Sequence, residues 1–279
     1  MKQKFKVSLC DKYLRKEFKD NVTYLVGLIG FGFIFITVSE EYRNLFAIIY
    51  IITLVIYYLY IWYNANNLKQ IILNINETKI IIEEGDIFKC QGFKVISFNE
   101  FFDTQVDNKI ISDTSLHGMY INNKYKDVKE LDSKIINDSH LSNCMIRGKE
   151  LPRKEGKKIR YRLGSICVDK DFFLVAFSRF DKNNKAFLEM NDYFNCLLNF
   201  WKECDIFYSG KDINLPLLGS GITRFPNNNE LTNQELLELL ILTFRLSKIR
   251  FKNNSKIKII LTEKVIKEIN LHKIKYIFN

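Results

Sequence analysis

The sequence INLPLLGSGITRF occupies residues 213–225. Residues 213–217 read as a short β-strand, and a Gly-Ser-Gly turn follows it directly. Working outward, Thr232 and Glu235 make a T-x-x-E capping box, so a helix with one apolar face is predicted over residues 234–248. A strand at 256–261 (KIKIIL) and a short helix at 262–269 come next. Upstream, residues 79–83 (KIIIE), 94–98 (KVISF) and 172–177 (FFLVAF) read as strands and 189–204 as a helix. Residues 127–143 are also predicted helical, with Val128, Leu131, Ile135 and Ile136 as the apolar positions. Near-continuous apolar strands suit a sheet covered on both faces, and their alternation with helices gives an α/β domain over residues 77–279.

The average composition hides two unlike parts. With 27% charged and 14% aromatic residues, and only 3 Pro and 12 Gly, the chain is neither disordered nor low-complexity. Three histidines and the absence of a Cys-x-x-Cys pair predict no metal site and no bound cofactor. The six scattered cysteines read as reduced thiols, partly in the core, in a cytosolic setting.

Two uncharged runs near the N-terminus, residues 22–38 (VTYLVGLIGFGFIFITV) and 45–63 (LFAIIYIITLVIYYLYIWY), are each long enough to cross a bilayer core of ~30 Å at ~1.5 Å per residue. The six residues between them allow only a tight turn, so a transmembrane helical hairpin is expected over 22–63. No small-residue cleavage site follows the first run, which argues for an anchor over a signal peptide. Residues 1–21 carry 7 − 3 = +4, and the turn carries 1 − 2 = −1. The positive-inside rule therefore puts the N-terminal segment and everything after Tyr63 in the cytoplasm, with residues 64–76 as a linker. Tyr57, Tyr58, Tyr60, Trp62 and Tyr63 would form the inner aromatic belt, and Gly27, Gly30 and Gly32 a small-residue stripe for helix packing.

Three loops follow strands and carry polar chemistry at the edge where open α/β sheets bind ligands. Gly85, Asp86 and Ile87 form the first, in which the carboxylate can accept from an adenine amino group. The second, residues 99–118 (NEFFDTQVDNKIISDTSLHG), brings Asn99, Asp103, Thr104, Ser115, His117 and Gly118 to one strand end. In the third, Gly219 and Gly221 let the backbone donate to phosphate oxygens. A basic run at 147–162 carries 8 − 2 = +6 and reads either as a solvated loop or as a patch drawn to anionic headgroups. It lacks the interleaved aromatics of a nucleic-acid surface, so no nucleic-acid partner is expected.

These residues resemble the macro domain, a three-layer α/β/α module with a mixed central sheet. The closer resemblance is to the macro domain of Thoeris anti-phage effectors with two N-terminal transmembrane helices. It rests on N-E-F-F-D-T (99–104), S-L-H-G (115–118), R-L-G-S-I (162–166), L-V-A-F-S-R-F-D-K-N-N-K-A (174–186) and P-L-L-G-S-G-I-T-R (216–224). The resemblance covers nearly the whole chain. It implies a bacterial inner-membrane protein that senses an ADP-ribose-type conjugate, such as histidine-ADP-ribose, made by a TIR-domain partner. The protein would then oligomerise and disrupt the lipid bilayer. Position by position, Asp86 would read adenine with Ile87 packed beside it, and Gly219, Ser220, Gly221 and Ile222 would cradle the pyrophosphate. Asn99, Phe102, Asp103 and Thr104 would flank the distal ribose near Ser115, Leu116, His117 and Gly118, and Arg224 would neutralise phosphate charge. Hydrolytic macro domains carry an N-A-A-N run and a triple-Gly loop. Asn99, Glu100, Phe101 and Phe102 stand at the matching place here, which favours a sensor. The alternatives are a membrane-tethered ADP-ribosyl hydrolase, with Asp103 or His117 as general base, and a tether for ADP-ribosylated proteins.

Overall fold

A computed structural model of the chain describes residues 5–33, 39–146, 153, 155–221, 223–226, 231–252 and 254–279. The elements in order are α1 (Lys12–Phe33), α2 (Glu40–Asn66), β1 (Gln70–Ile75), β2 (Thr78–Glu84), a 3-10 turn (Ile87–Lys89), β3 (Phe93–Asn99), α3 (Leu116–Lys124), α4 (Val128–Ile136) and α5 (Ser139–Ser142). They continue with β4 (Ile166–Asp169), β5 (Phe172–Phe180), β6 (Ala186–Phe187), α6 (Met190–Phe207), β7 (Ile213–Pro216), α7 (Asn233–Ser247), β8 (Lys256–Leu261), α8 (Glu263–Glu268) and α9 (Leu271–Phe278). The chain divides into two units, Met1–Ile71 with Lys267–Asn279, and Ile72–Ile266.

All the expected strands lie in one mixed sheet of order β1-β2-β8-β7-β3-β5-β4, with β6 on β5. The inner pairs β2–β8, β8–β7, β7–β3 and β3–β5 are parallel, whereas β4 and β6 run antiparallel to β5. Strand β5 (FFLVAFSRF) is buried at every position but Arg179, as a strand without polar alternation requires. On one face Ile96, Phe98, Leu174 and Ala176 pack with Tyr120, Leu131 and Leu141 from α3, α4 and α5. On the other, Phe177 meets Tyr193 of α6, and Trp201 of α6 donates to Thr243 of α7 at 3.1 Å. The fold is therefore the α/β/α arrangement that the sequence predicts. Because five neighbouring strands are parallel, their C-terminal ends share one edge. The chain leaves β3 toward β5 on one side and returns to β7 on the other, which makes a topological switch point.

Three boundaries differ from expectation. The helix predicted over 127–143 breaks into α4 and α5, because the Asp138 carboxylate caps a new N-terminus by accepting from Leu141 N at 2.9 Å. The expected linker, 64–76, instead holds the last turn of α2 and strand β1. That strand alternates exposed and buried positions and turns into β2 through Asn76 (φ 51) and Glu77 (φ 60). Its one-sided alternation is a weaker signal than an apolar run and sits beside a polar stretch. Residues 267–279, expected to belong to the α/β domain, group with the N-terminal helices.

In that smaller unit α1 starts at Lys12, so the end of the basic N-terminal segment is already helical, and α2 takes in residues 40–44 of the expected turn. Residues 34–38 of the first expected span lie outside the described residues. Among the described residues one helix, Glu41–Asn66, is long and apolar enough to cross a membrane, and few of its side chains are buried. The polar ends are tied together. Val7, Leu14, Ile61 and Ala65 form a small core, Trp62 Nε1 donates to Val7 O at 2.9 Å, and Asn66 Oδ1 accepts from Val7 N at 2.9 Å. Helix α9 joins them through His272 Nε2, 2.5 Å from Glu17 Oε2, and that hydrogen bond holds the Glu17 carboxyl below the usual carboxylate range.

Candidate ligand-binding site

Strand β3 ends in a β-bulge at Phe98 and Asn99, which re-aims the chain at the sheet edge. Asn99 Oδ1 accepts from Phe101 N at 3.0 Å and Asp103 N at 3.3 Å, while its Nδ2 donates to Asp103 Oδ2 at 3.0 Å. The turn puts Phe102 at φ 48 and drives its ring into the core, between Phe98 (5.7 Å) and Tyr161 (5.2 Å). Asp103 is buried and fully engaged, accepting from Arg153 at 2.7 Å and from Lys157 N at 2.8 Å. Thr104 Oγ1 donates to Asp132 at 2.6 Å. Buried Glu100 takes Arg160 through Nε at 3.0 Å and a terminal nitrogen at 2.8 Å.

These pairs revise the reading of the basic run. Arg147, Lys149 and Lys154 lie outside the described residues. Arg153, Lys157 and Arg160 are internal counterions of Asp103, Asp132 and Glu100. They clamp the loop from beneath, and Arg153 also lies over the Phe101 ring at 4.0 Å.

The next wall is the N-terminus of α3. Ser115 caps it by accepting from Gly118 N at 3.0 Å and donates to Ser112 O at 2.6 Å. Gly118 is required by space, since a Cβ there would lie 2.2 Å from the Ser112 carbonyl oxygen. His117 is buried against the Phe98 ring, centroids 3.6 Å apart, and among the described residues its Nε2 has no hydrogen-bond partner. Burial pushes its pKa down to about 3; the Lys157 charge acts in the same direction, and a hydrogen bond with the Asp103 backbone opposes them.

The third wall follows β7. Gly219 takes φ 93, a left-handed conformation that favours glycine. Ser220 closes the turn by donating from N and Oγ to Leu217 O at 3.2 and 2.7 Å. Between these walls, at the switch point, lies a cavity of about 370 Å³. Of the expected residues, Asn99, Ser115, Leu116, His117, Gly219, Ser220 and Gly221 line it. Phe102, Asp103, Thr104 and Gly118 are not among its lining residues, and Ile222 lies outside the described residues. Arg224 lines an adjoining groove of about 900 Å³ that shares the Gly219, Ser220 and Gly221 backbone. Asp86 is exposed at the same sheet edge, accepting from Phe88 N at 3.0 Å, and Ile87 is buried beneath it. Ser97, Ser178 and Thr223 add hydroxyl groups that the sequence reading missed. Ser178 carried a signal, as the polar residue interrupting the apolar run FFLVAF at its C-terminal end.

Away from this edge, His140, Cys144 and Glu203 bring three possible metal-ligand atoms within 4.8 Å. The Arg162 guanidinium already supplies a cation there, 3.6 Å from Cys144 Sγ and 3.8 Å from Glu203, and His140 hydrogen-bonds Glu203 at 2.5 Å. The cluster is an ion-pair network. All six cysteines are free thiols, four of them buried.

A family model for the macro domain of Thoeris protein ThsA matches residues 80–262, from β2 through β8. The chain belongs to the Thoeris ThsA macro-domain family. Thoeris protein ThsA of Bacillus amyloliquefaciens (strain Y2) is 44% identical over 213 residues, covering 75% of this chain and 70% of the relative. Among solved structures, a macrodomain of Oceanobacillus iheyensis with ADP is 14% identical, with a TM-score of 0.47 over 75% of this chain and 96% of that one. A point mutant of that macrodomain is 16% identical, with a TM-score of 0.47 over 76% and 94% of the two chains. The ThsA match contains all three walls of the cavity and leaves α1, α2 and α9 outside it.

Proposed function

We propose that the protein is a membrane-anchored anti-phage effector. Its macro domain binds an ADP-ribose-derived signal made by a TIR-domain partner, and the ligand drives oligomerisation and membrane disruption. The observation that carries this reading is the cavity at the switch point, built from Asn99, the α3 N-terminus and the Gly219, Ser220 and Gly221 turn. Strand β2, which delivers Asp86, lies three strand spacings from β3, or ~14 Å. An extended nucleotide fits that span, with adenine at Asp86 and Ile87, pyrophosphate at the glycine turn, and the distal ribose and its adduct toward Asn99 and α3.

The same geometry supports sensing over hydrolysis. Asp103 spends its carboxylate on Arg153 and the loop backbone, so it is a poor general base. His117, with its pKa near 3, binds protons too weakly to accept one from water at neutral pH. The exposed apolar helix Glu41–Asn66 supports an anchor in the inner membrane, and the basic flank supports a cytoplasmic macro domain.

For the ligand to trigger assembly it must bind the assembled state more tightly than the resting one. Vesicles of anionic lipid loaded with a fluorescent dye and reconstituted with the full chain are expected to leak on addition of histidine-ADP-ribose, and to stay sealed without it. Leakage that ignores the ligand, or none at all, would count against the effector reading.

A further inference from the structure

We propose that the groove between α1, α2 and α9 binds one anionic phospholipid of the cytoplasmic leaflet, with the headgroup phosphate at Lys16 and Lys275 and the glycerol end along α2. This rests on the reading of α2 as a membrane anchor.

The groove, about 630 Å³, lies wholly within the smaller unit, and its size falls in the ~300–1,000 Å³ range of small-molecule sites. Helix α2 contributes Tyr57, Tyr60, Ile61 and Ala65, and α9 contributes Lys275 and Tyr276. Those α2 residues close the apolar helix at the end that its basic flank places at the cytoplasmic face. The groove therefore stands at headgroup depth. An apolar side joined to a cationic side matches the two ends of a phospholipid.

The charge around the groove selects an anion. The Tyr276 ring lies 5.4 Å from Tyr13 of α1, with Lys16 Nζ 5.1 Å from the first ring and Lys12 Nζ 4.8 Å from the second. Residues 12–20 carry 4 − 2 = +2, and α9 adds Lys273 and Lys275 with no acid. The acids of this region are engaged by their neighbours. Glu17 lines the groove, but His272 hydrogen-bonds its carboxylate and the Lys275 charge acts on it as well. Asp20 lies beside Lys16. Asp11 caps α1, accepting from Tyr13 N at 2.8 Å and Leu14 N at 3.1 Å. The cations left in excess sit at the membrane surface, where each basic residue strengthens the hold on an anionic lipid about fivefold. Basic pockets between helices on the cytoplasmic side are recognised lipid headgroup sites.

Native mass spectrometry of the full chain, equilibrated in detergent with equal amounts of phosphatidylglycerol and phosphatidylcholine, tests the proposal. One retained phosphatidylglycerol per chain is expected. Lys16→Gln with Lys275→Gln should cut its retention about thirtyfold. The same loss of charge at Lys126 and Lys129, exposed lysines in the other unit, should leave retention unchanged. Asn64 lines the groove and is exposed, so Asn64→Trp should block the lipid without altering any charge. Equal retention of the two lipids, equal losses in the two lysine pairs, or full retention in Asn64→Trp would overturn the proposal. So would a lipid-free dimer broken by Asn64→Trp, which would seat a second copy in the groove. Flotation with phosphatidylcholine vesicles separates the two levels. A chain that floats but retains no phosphatidylglycerol sinks this inference alone, whereas a chain that stays in the aqueous phase sinks the anchor and the inference with it.

Discussion

Replacing Arg153 with alanine is expected to lower the stability of the α/β domain by about 3–5 kcal/mol, the usual cost of stranding a buried charge. The Asp103 and Arg153 side chains are each 1% exposed and meet at 2.7 Å. The same guanidinium holds Asn184 Oδ1 at 2.9 and 2.8 Å and Lys157 O at 2.8 Å, and covers the Phe101 ring. Removing it leaves the Asp103 carboxylate with two loop partners, Lys157 N and Asn99 Nδ2, and no counter-charge. Denaturation of the full chain in detergent, followed by tryptophan fluorescence, should show the loss. Adding Asp103→Asn should recover part of it, because the stranded charge is gone. A single variant as stable as wild type would mean that the clamp does not hold the loop.

Gly118→Ala is expected to be the second large effect, about 3 kcal/mol, at the upper end of overpacking costs. The added Cβ would meet the Ser112 carbonyl oxygen at 2.2 Å and Asp113 Cα at 2.9 Å, both on the main chain, where no side chain can swing aside. Helix α3 must then draw back from the 112–113 backbone, moving Ser115 and His117 off the cavity wall. Gly221→Ala is the control, since a Cβ there meets nothing within 4 Å among the described residues. Thermal melts of the two variants should separate by several degrees. Equal melting temperatures would show that α3 has more freedom than this packing allows.

Gly118 also illustrates what the sequence did and did not disclose. The S-L-H-G block marks the start of α3, but the close packing of its glycine on the Ser112 carbonyl appears only in the fold. The long apolar strands were legible because β3 and β5 lie inside the sheet and needed no alternation. Strand β1 and helix α9 were not, because an edge strand and a terminal eight-residue helix carry short, half-buried patterns. The acidic partners of the basic run are hidden from the sequence for a different reason. Charge counting along a chain cannot find the buried acids Asp103 and Glu100, which sit 50 residues upstream of Arg153 and 60 upstream of Arg160 and become their partners only in the fold. Asn99, by contrast, was found because a polar residue closing an apolar run must lie at the sheet edge.

The central claim is that the switch-point cavity takes an ADP-ribose-type nucleotide. Calorimetric titration of the full chain in detergent with ADP-ribose and histidine-ADP-ribose tests it most directly. Saturable binding is predicted, and Gly219→Val should abolish it, because valine is strained at φ 93 and its Cβ would press on Leu236 and Phe225 at 3.3 Å. A folded wild-type protein that binds neither nucleotide, or a Gly219→Val variant that binds as well as wild type, would contradict it.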